Sequence, residues 1–335
     1  MTDTISWTAD DASRARLREV LEERGYALLR PDPAQLSPEL AANDPWEAAT
    51  RLWGEPPELI ERQPIAAVPW GRSFASTSGV TPLHTDSQLY AGAPPDLQLM
   101  FCARPADRGG ETTLLDTWPL LSAIERTDPG LFHALLHAPR RIPFVFGDVV
   151  GPTVSLRRGS VVFTQSPMAA PGDPLVERLR PHLDRADLTQ VRPAGGDVLV
   201  VDNHRMLHGR TAFEDVERSF TRLLLWLLAP LPCPAPLREL CARALEPQTP
   251  LLAGLPEPAR RRLGLQTPAG RGAKRRRIVI EMLRGVPPGV LARRYGVHER
   301  DLYAWRDRAL AAADAELALD DEVDEVLARL VAVTS

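Results

Sequence analysis

The chain has 335 residues, of which 44% are hydrophobic and 25% charged, and 33 are prolines. Proline at about a tenth of the residues is roughly twice its ordinary usage, but it follows no Gly-X-Y period, so collagen and wholesale disorder are excluded. A formal net charge of -4 gives no overall attraction to nucleic acid or to an anionic membrane. The length predicts one large domain with one small one, built from many short elements because proline marks their ends.

The cysteines and the N-terminal residues indicate the expected cellular compartment. Cys102, Cys233 and Cys241 are scattered and form no Cys-x-x-Cys pair, which argues against a disulfide scaffold and a zinc ribbon. The first residues are polar and acidic, and no apolar run reaches about 18 residues. We therefore expect a soluble, reduced, cytoplasmic protein with no membrane association.

The first half of the chain starts with helices and changes to strands. Apolar spacing predicts a helix over 10–24 that ends at Gly25, followed by a strand over 26–31. A second helix is predicted over Trp46–Leu52. From about residue 64 onward, short apolar runs alternate with proline and glycine, which indicates strands, among them 97–105 and 112–118.

A helical insertion is predicted over 120–138, and more strands follow it. The strand candidates are RRIPFVFG, TVSLRRG, SVVFTQS, GDVLVVDN and SFTRLLLWLLAP. Many short strands with few helices between them predict a mainly β fold with flanking helices. This pattern favours an antiparallel sandwich or jelly roll over a βαβ array.

The C-terminal third has a different composition. Nine of the 39 residues from 230 to 268 are prolines, which places a domain boundary there. We predict a first domain over 1–245, a proline-rich linker over 246–272 and a small all-α domain of three helices over 273–335. The neutral total hides two charged parts, because residues 260–308 carry 14 Lys/Arg against 4 Asp/Glu and residues 309–335 carry 1 against 7.

One short pattern suggests a metal site. His84 and Asp86 lie two apart in a strand-like stretch, so both side chains project from the same side. A lone His-x-Asp is weak, but an apolar strand also leads into a polar turn bearing His208. Two imidazoles and one carboxylate form the facial triad of non-haem Fe(II) oxygenases.

Two other histidine pairs are weaker candidates. His133 and His137 lie four apart in the predicted helix, but no Glu follows His133, so the metalloprotease pattern is absent and packing or surface roles are favoured. His204 precedes His208 by four residues in a tight turn, where that spacing need not bring both to one ion. We favour His208 because Gly209 and Arg210 follow it.

Four sequence blocks, taken together, resemble the Fe(II)/2-oxoglutarate-dependent dioxygenases of the taurine dioxygenase (TauD/TfdA) and clavaminate synthase-like group. The blocks are PLHTD (82–86), PPDLQLMFCARPADRGGETTLLDTW (94–118), VDNHRMLHGRTAF (201–213) and ERSFTRLLLW (217–226). They occur in the family's order and spacing, and the resemblance covers roughly residues 10 to 230. It implies a double-stranded β-helix, a cupin-like jelly roll.

The resemblance also implies roles for individual residues. His84, Asp86 and His208 would hold Fe(II), and the Thr112 hydroxyl would meet the distal carboxylate of 2-oxoglutarate. Arg218 and Arg222 form the family's arginine pair, and Arg218 is the first candidate for the salt bridge to that carboxylate. A guanidinium suits this task because it binds a carboxylate bidentately.

Substrate contacts are less defined by the resemblance. Arg210 is interpreted as a substrate-orienting residue, with turn capping as the alternative. Gln88 flanks the first ligands and is a candidate substrate contact, with an ordinary loop position as the favoured alternative. Asp202 and Asn203 are turn formers or partners of a metal ligand.

The implied reaction is hydroxylation of an unactivated C–H bond, with O2 as oxidant and with succinate and CO2 as co-products. The expected substrate is a small molecule, an amino acid or peptide-like metabolite. One alternative is a DNA-associated regulator whose jelly roll binds a ligand. A zinc-binding or structural cupin is disfavoured, because it would not require Thr112 and the two arginines.

The predicted C-terminal helices are similar to the small helix-turn-helix of insertion-element transposases over about residues 273–312. With the local positive charge this allows binding to the DNA backbone. His298, Glu299 and Asp301 depart from that pattern, since acids stand where a recognition helix would meet DNA. They favour the alternative, an accessory unit that packs on the enzyme, dimerises or docks a peptide or carrier protein.

Overall fold

The computed structural model describes most of the first 245 residues and parts of the C-terminal region. The described residues are 4–68, 71, 73–86, 94–143, 149–157, 159–168, 172–215, 217–229, 231–245, 278–283, 288, 291–292 and 302–310.

Fourteen strands and seven α-helices have defined bounds in this part of the chain. The strands are β1 (Thr4–Trp7), β2 (Tyr26–Pro31), β3 (Leu59–Ala66), β4 (Thr81–His84), β5 (Leu97–Arg104), β6 (Thr112–Asp116), β7 (Arg140–Ile142), β8 (Val149–Gly151), β9 (Val154–Arg157), β10 (Ser160–Phe163), β11 (Thr189–Val191), β12 (Val198–Asp202), β13 (Met206–Arg210) and β14 (Ser219–Trp226). The helices are α1 (Asp11–Arg24), α2 (Pro38–Asn43), α3 (Pro45–Trp53), α4 (Thr117–Thr127), α5 (Pro129–His137), α6 (Pro174–Asp184) and α7 (Ala235–Leu245).

Two sheets form the centre of the fold. The major sheet has the strand order β1-β2-β12-β5-β14-β3, and the minor sheet has the order β11-β6-β13-β4. The pairs are antiparallel except for β1 with β2. Neighbours in space are far apart in sequence, as in a jelly roll, and the predicted mainly β fold with flanking helices is confirmed.

Alternate side chains along the strands of the major sheet point to opposite sides of the sheet. Leu97, Leu99, Leu223 and Leu225 share a core with residues of α1, α2 and α3. We call this side the outer face. The opposite side of the sheet packs on the minor sheet. It includes Leu28, Leu199 and Val201, which pack with Leu114 and Met206. We call this side the inner face.

Helix boundaries follow from local capping. Asp10 accepts a hydrogen bond from the Ser13 backbone N–H at the start of α1, and Gly25 ends the helix at a positive φ of 75°. The helical insertion forms two helices rather than one, because Asp128 ends α4 and caps α5, whose first residue is Pro129.

Some elements lie where no strand or helix was predicted. No element was predicted over β1 or α6, and α7 falls inside the stretch rich in proline. Leu237 and Cys241 of α7 are buried against Leu131 and other residues of α4–α6.

Little of the predicted C-terminal domain is described. The predicted linker over 246–272 lies outside the described residues, as does most of 273–335. Residues 278–283 and 302–310 are helical, and both segments fall within the predicted all-α unit. Among the described residues, no helix combines the length and the apolar character that crossing a bilayer requires.

Candidate active site

The predicted metal ligands come together where β4 ends beside the middle of β13. His84 ends β4 and lies directly opposite His208 on β13, and their ring centroids are 4.3 Å apart. Asp86 follows two residues after β4. Its carboxylate oxygens lie 4.0 Å from His84 Nε2 and 3.6 Å from His208 Nε2. One ligand atom from each of the three residues falls within a 4.8 Å group.

The protonation states of His84 and Asp86 suit a divalent cation. The Nδ1 atom of His84 is 2.9 Å from the carbonyl of Pro82, which leaves Nε2 to face the cluster. Burial, and then the nearby His208, lower the pKa of His84 to about 3, so its imidazole is neutral at pH 7. Burial alone would raise the pKa of Asp86, but Arg222 and His208 hold it well below its usual value. Neutral imidazoles and an ionised carboxylate are the forms that bind metal.

Asn203 holds the backbone of Asp86. Its side-chain oxygen accepts a hydrogen bond of 2.7 Å from the Asp86 N–H, and its side-chain nitrogen donates to the Asp86 carbonyl at 2.9 Å and to the Pro95 carbonyl at 3.0 Å. Asn203 thus acts as a partner of a candidate ligand as well as a turn residue. Asp202 caps the same turn through the N–H groups of His204 and Arg205.

Gln98 is a site residue that the sequence prediction missed. It lies on the inner face of β5, and its side-chain nitrogen is 2.5 Å from Asp86 Oδ2 and 3.0 Å from His208 Nε2. A polar residue within the apolar run LQLMF was a usable signal, since a buried amide requires hydrogen-bonding partners.

Arg222 reaches the same carboxylate from β14. Its Nη1 atom donates to Asp86 Oδ1 at 2.6 Å, and its Nη2 atom donates to the Gln63 side chain. Because Gln63 is directly opposite Arg222 on β3, both side chains lie on the inner face.

Arg218 is a buried cation in a different setting. It directly precedes β14 and is 2% exposed, and its guanidinium carbon lies 5.1 Å and 4.2 Å from the ring centroids of Phe213 and Phe220. Within the described part of the chain no carboxylate pairs with it, and its Nη2 atom is 3.5 Å from the Gly110 carbonyl. Burial, and then Arg210, lower its pKa to about 10. Such a guanidinium is suited to binding a carboxylate.

The Gly-Gly-Glu-Thr block passes beside this guanidinium two residues before Thr112. Gly109 and Gly110 have positive φ angles, and a Cβ atom on Gly110 would lie 3.1 Å from Arg218 Nε. Thr112 comes two residues later, is buried, and begins β6 opposite Arg210 of β13. The glycines therefore allow the chain to pass beside Arg218 before Thr112.

The remaining candidate residues are placed as follows. The Nη2 atom of Arg210 donates to the carbonyls of Thr77 and Gly79, both at 2.7 Å, so Arg210 caps that turn. Its contact with substrate stays a prediction. Gln88 lies outside the described residues.

The rejected histidines lie away from the candidate metal site. His204 Nε2 is 3.1 Å from the Pro94 carbonyl, and its Nδ1 is 3.9 Å from Asp96. His137 Nε2 is 2.8 Å from the Ala244 carbonyl, and its ring stacks on that of His133.

Known proteins resemble this chain over the same region. The profile of the family described as "Taurine catabolism dioxygenase TauD, TfdA family" matches residues 3–224. A uridine-5'-phosphate dioxygenase from Amycolatopsis sp is 28% identical over 257 residues, which are 67% of this chain and 92% of that protein.

Among solved structures, an asparagine oxygenase in complex with Fe(II), 2S,3S-3-hydroxyasparagine and succinate has 17% identity and a TM-score of 0.49, covering 65% of this chain and 79% of that one. The non-haem iron oxygenase OrfP in complex with Fe and alpha-ketoglutaric acid has 18% identity and a TM-score of 0.45, covering 65% and 80% of the two chains.

Proposed function

This chain belongs to the taurine catabolism dioxygenase TauD, TfdA family, and we propose that it uses Fe(II), 2-oxoglutarate and O2 to hydroxylate an unactivated C–H bond of a small molecule. The observation that carries this proposal is the buried group of His84, Asp86 and His208 on adjoining strands. Two imidazoles and one carboxylate fit Fe(II) and leave positions for further ligands.

When bound, Fe(II) and 2-oxoglutarate supply the oxidising chemistry, in which 2-oxoglutarate and O2 become succinate, CO2 and one oxygen atom for the substrate. The protein holds the parts in place. Through its hydrogen bond to Pro82, His84 keeps Nε2 directed at the cluster. Asn203 fixes the backbone of Asp86, and Gln98 and Arg222 contact its carboxylate.

We assign the distal carboxylate of 2-oxoglutarate to Arg218, with the Thr112 hydroxyl as its second contact. This assignment is supported by the burial of Arg218 without a carboxylate partner among the described residues, and by its position beside Gly110. Arg222 is already bound to Asp86, so it is the weaker candidate for this carboxylate and the better one for orienting groups next to the metal.

The expected substrate is an amino acid or peptide-like metabolite. Similarity to a uridine-5'-phosphate dioxygenase supports nucleoside 5'-phosphates as a second substrate class. Succinate release from a panel that holds both classes would discriminate them, because each turnover of the true substrate releases one succinate.

The cofactor assignment can be tested without the substrate. Anaerobic addition of Fe(II) and 2-oxoglutarate should give a weak visible charge-transfer band, which His84→Ala should lose. His133→Ala is the matched control, since His133 is exposed on α5 and should leave the band intact. A wild-type protein with no band and no affinity for 2-oxoglutarate would contradict the proposal.

A further inference from the structure

Parts of the C-terminal region pack together. Ile278, Leu291 and Leu302 are fully buried and form one apolar cluster, against which Met282 and Trp305 pack. These residues come from three separate stretches of the chain. We call the described residues 278–283, 288, 291–292 and 302–310 the C-terminal unit, and this cluster is its small core.

The helix over 278–283 also presents a second side. Ile278 and Met282 are four residues apart, so they lie on one side of the helix and reach the small core. Ile280 is two residues from each, about 200° around the helix axis, and therefore points the opposite way. It packs against Leu59, Leu224 and Trp226 of the major sheet.

The receiving surface lies on the inner face of the sheet. Side chains two residues apart in a strand share a side, so Leu224 and Trp226 lie on the same side of β14 as Arg222. Leu59 is directly opposite Trp226 on β3. Leu224 and Trp226 are about 7 Å and 13 Å along the strand from Arg222, which binds the candidate metal ligand Asp86.

Resting on the function proposed above, we infer that the C-terminal unit forms one wall of the active site. Ile280 packs the unit on the inner face of β3 and β14, and the unit shields the site from water on the side that lies beyond Arg222. Leu224 and Trp226 are 5% and 4% exposed. The contact with Ile280 contributes to this burial on β14, next to the edge strand β3.

The test compares two aspartate substitutions on one helix of the full-length protein. Ile280→Asp places a carboxylate against the apolar cluster, whereas Leu283→Asp changes a side chain that is 55% exposed. Ile280→Val keeps an apolar contact and guards against a general effect of altering position 280. Acrylamide quenching of Trp226 fluorescence reports whether the unit packs on this face. The Trp226 signal is obtained by subtracting the fluorescence of the same variant made in a Trp226→Phe background. The rate at which EDTA removes Fe(II) reports the shielding.

Ile280→Asp should raise both Trp226 quenching and the rate of Fe(II) removal several-fold. Leu283→Asp and Ile280→Val should match the wild type in both. The anaerobic affinity for 2-oxoglutarate should be retained in Ile280→Asp, because Arg218 and Thr112 lie elsewhere in the fold, and this also shows that the jelly roll is intact.

Two results would overturn the inference. Unchanged Trp226 quenching in Ile280→Asp would mean that the unit is not seated on this face. Raised quenching with an unchanged rate of Fe(II) removal would mean that it is seated but shields nothing. If the wild type bound no Fe(II), both the proposed function and the shielding role would be contradicted. The quenching comparison would still show whether the C-terminal unit packs on the inner face.

Discussion

The two faces of the major sheet are made by alternate residues of the same strands, yet they differ in chemistry. On the outer face Leu223 and Leu225 join an apolar core with α1, α2 and α3. On the inner face, their neighbour Arg222 and the Gln98 amide of β5 contact Asp86. The period of two thus lets one strand serve the folding core and the site at once.

This comparison implies that stability and cofactor binding can be changed separately. Buried apolar side chains on the outer face lose favourable transfer energy and leave a cavity when truncated. Polar groups on the inner face have been desolvated, so their removal costs binding rather than packing. Three substitutions, taken in order of decreasing effect, test the division.

The largest effect is expected on the outer face. Leu225→Ala removes a fully buried side chain and should lower the free energy of unfolding by about 2–5 kcal/mol. Urea denaturation of the metal-free protein measures this loss. The affinity of the folded protein for 2-oxoglutarate should remain unchanged, because Leu225 points away from the site.

Leu188→Ala is the control for that substitution. Leu188 is 50% exposed, so its truncation should change the free energy of unfolding by less than about 0.5 kcal/mol. If Leu225→Ala weakened 2-oxoglutarate binding as strongly as it weakened folding, the two faces would not be separable.

The second effect concerns the buried cation Arg218. Arg218→Gln should weaken 2-oxoglutarate binding by about 2–4 kcal/mol, roughly 30- to 1000-fold, because it deletes one partner of a buried charge pair. Anaerobic titration of the charge-transfer band measures this. The thermal stability of the free protein should not fall, since the substitution removes a desolvated charge that no carboxylate of the described residues neutralises.

Arg104→Gln is the matched control, because Arg104 is a 52% exposed arginine on β5 that pairs with Glu217. It should leave the affinity for 2-oxoglutarate as in the wild type. If Arg104→Gln weakened 2-oxoglutarate binding more than Arg218→Gln did, the assignment of the cosubstrate carboxylate to Arg218 would be wrong.

Local sequence signals were enough for several elements, such as α1, and for the grouping of the candidate metal ligands. The helix over 10–24 was predicted from its apolar face and from Gly25, and α1 has nearly the same bounds. The grouping of His84, Asp86 and His208 was predicted from strand alternation and a polar turn, and the structure brings their ligand atoms together. In both cases the controlling interactions are local or follow from strand periodicity.

Contacts between distant segments could not be predicted in this way. Asn203 binds the backbone of Asp86 because the turn after β12 passes beside the end of β4, which only the strand order reveals. Ile280 is one apolar residue of a helix in the sequence, and its packing on Trp226 depends on how the C-terminal unit is placed. α7 was hidden because its prolines, at its start and before it, are compatible with a helix N-terminus as well as with a linker.

The smallest effect is expected at Asp202, where a polar group is buried beside the candidate site. Burial raises the pKa of Asp202 to about 6, although hydrogen bonds from the His204 and Arg205 backbone oppose the rise. The folded protein therefore holds a proton between about pH 4 and pH 6 that the unfolded chain releases. The contribution of Asp202 to stability is largest below pH 4 and is lost as the pH rises through 6.

Asp202→Asn should abolish that part of the pH dependence, because its carboxamide stays neutral and retains an oxygen acceptor for the two backbone N–H groups. Relative to the wild type, its free energy of unfolding should increase by roughly 1–3 kcal/mol between pH 4 and pH 7. Urea denaturation at both pH values measures the difference. A constant difference between the two proteins would mean that the Asp202 carboxyl is already ionised at pH 4 in the folded state, with its hydrogen bonds outweighing the cost of burial.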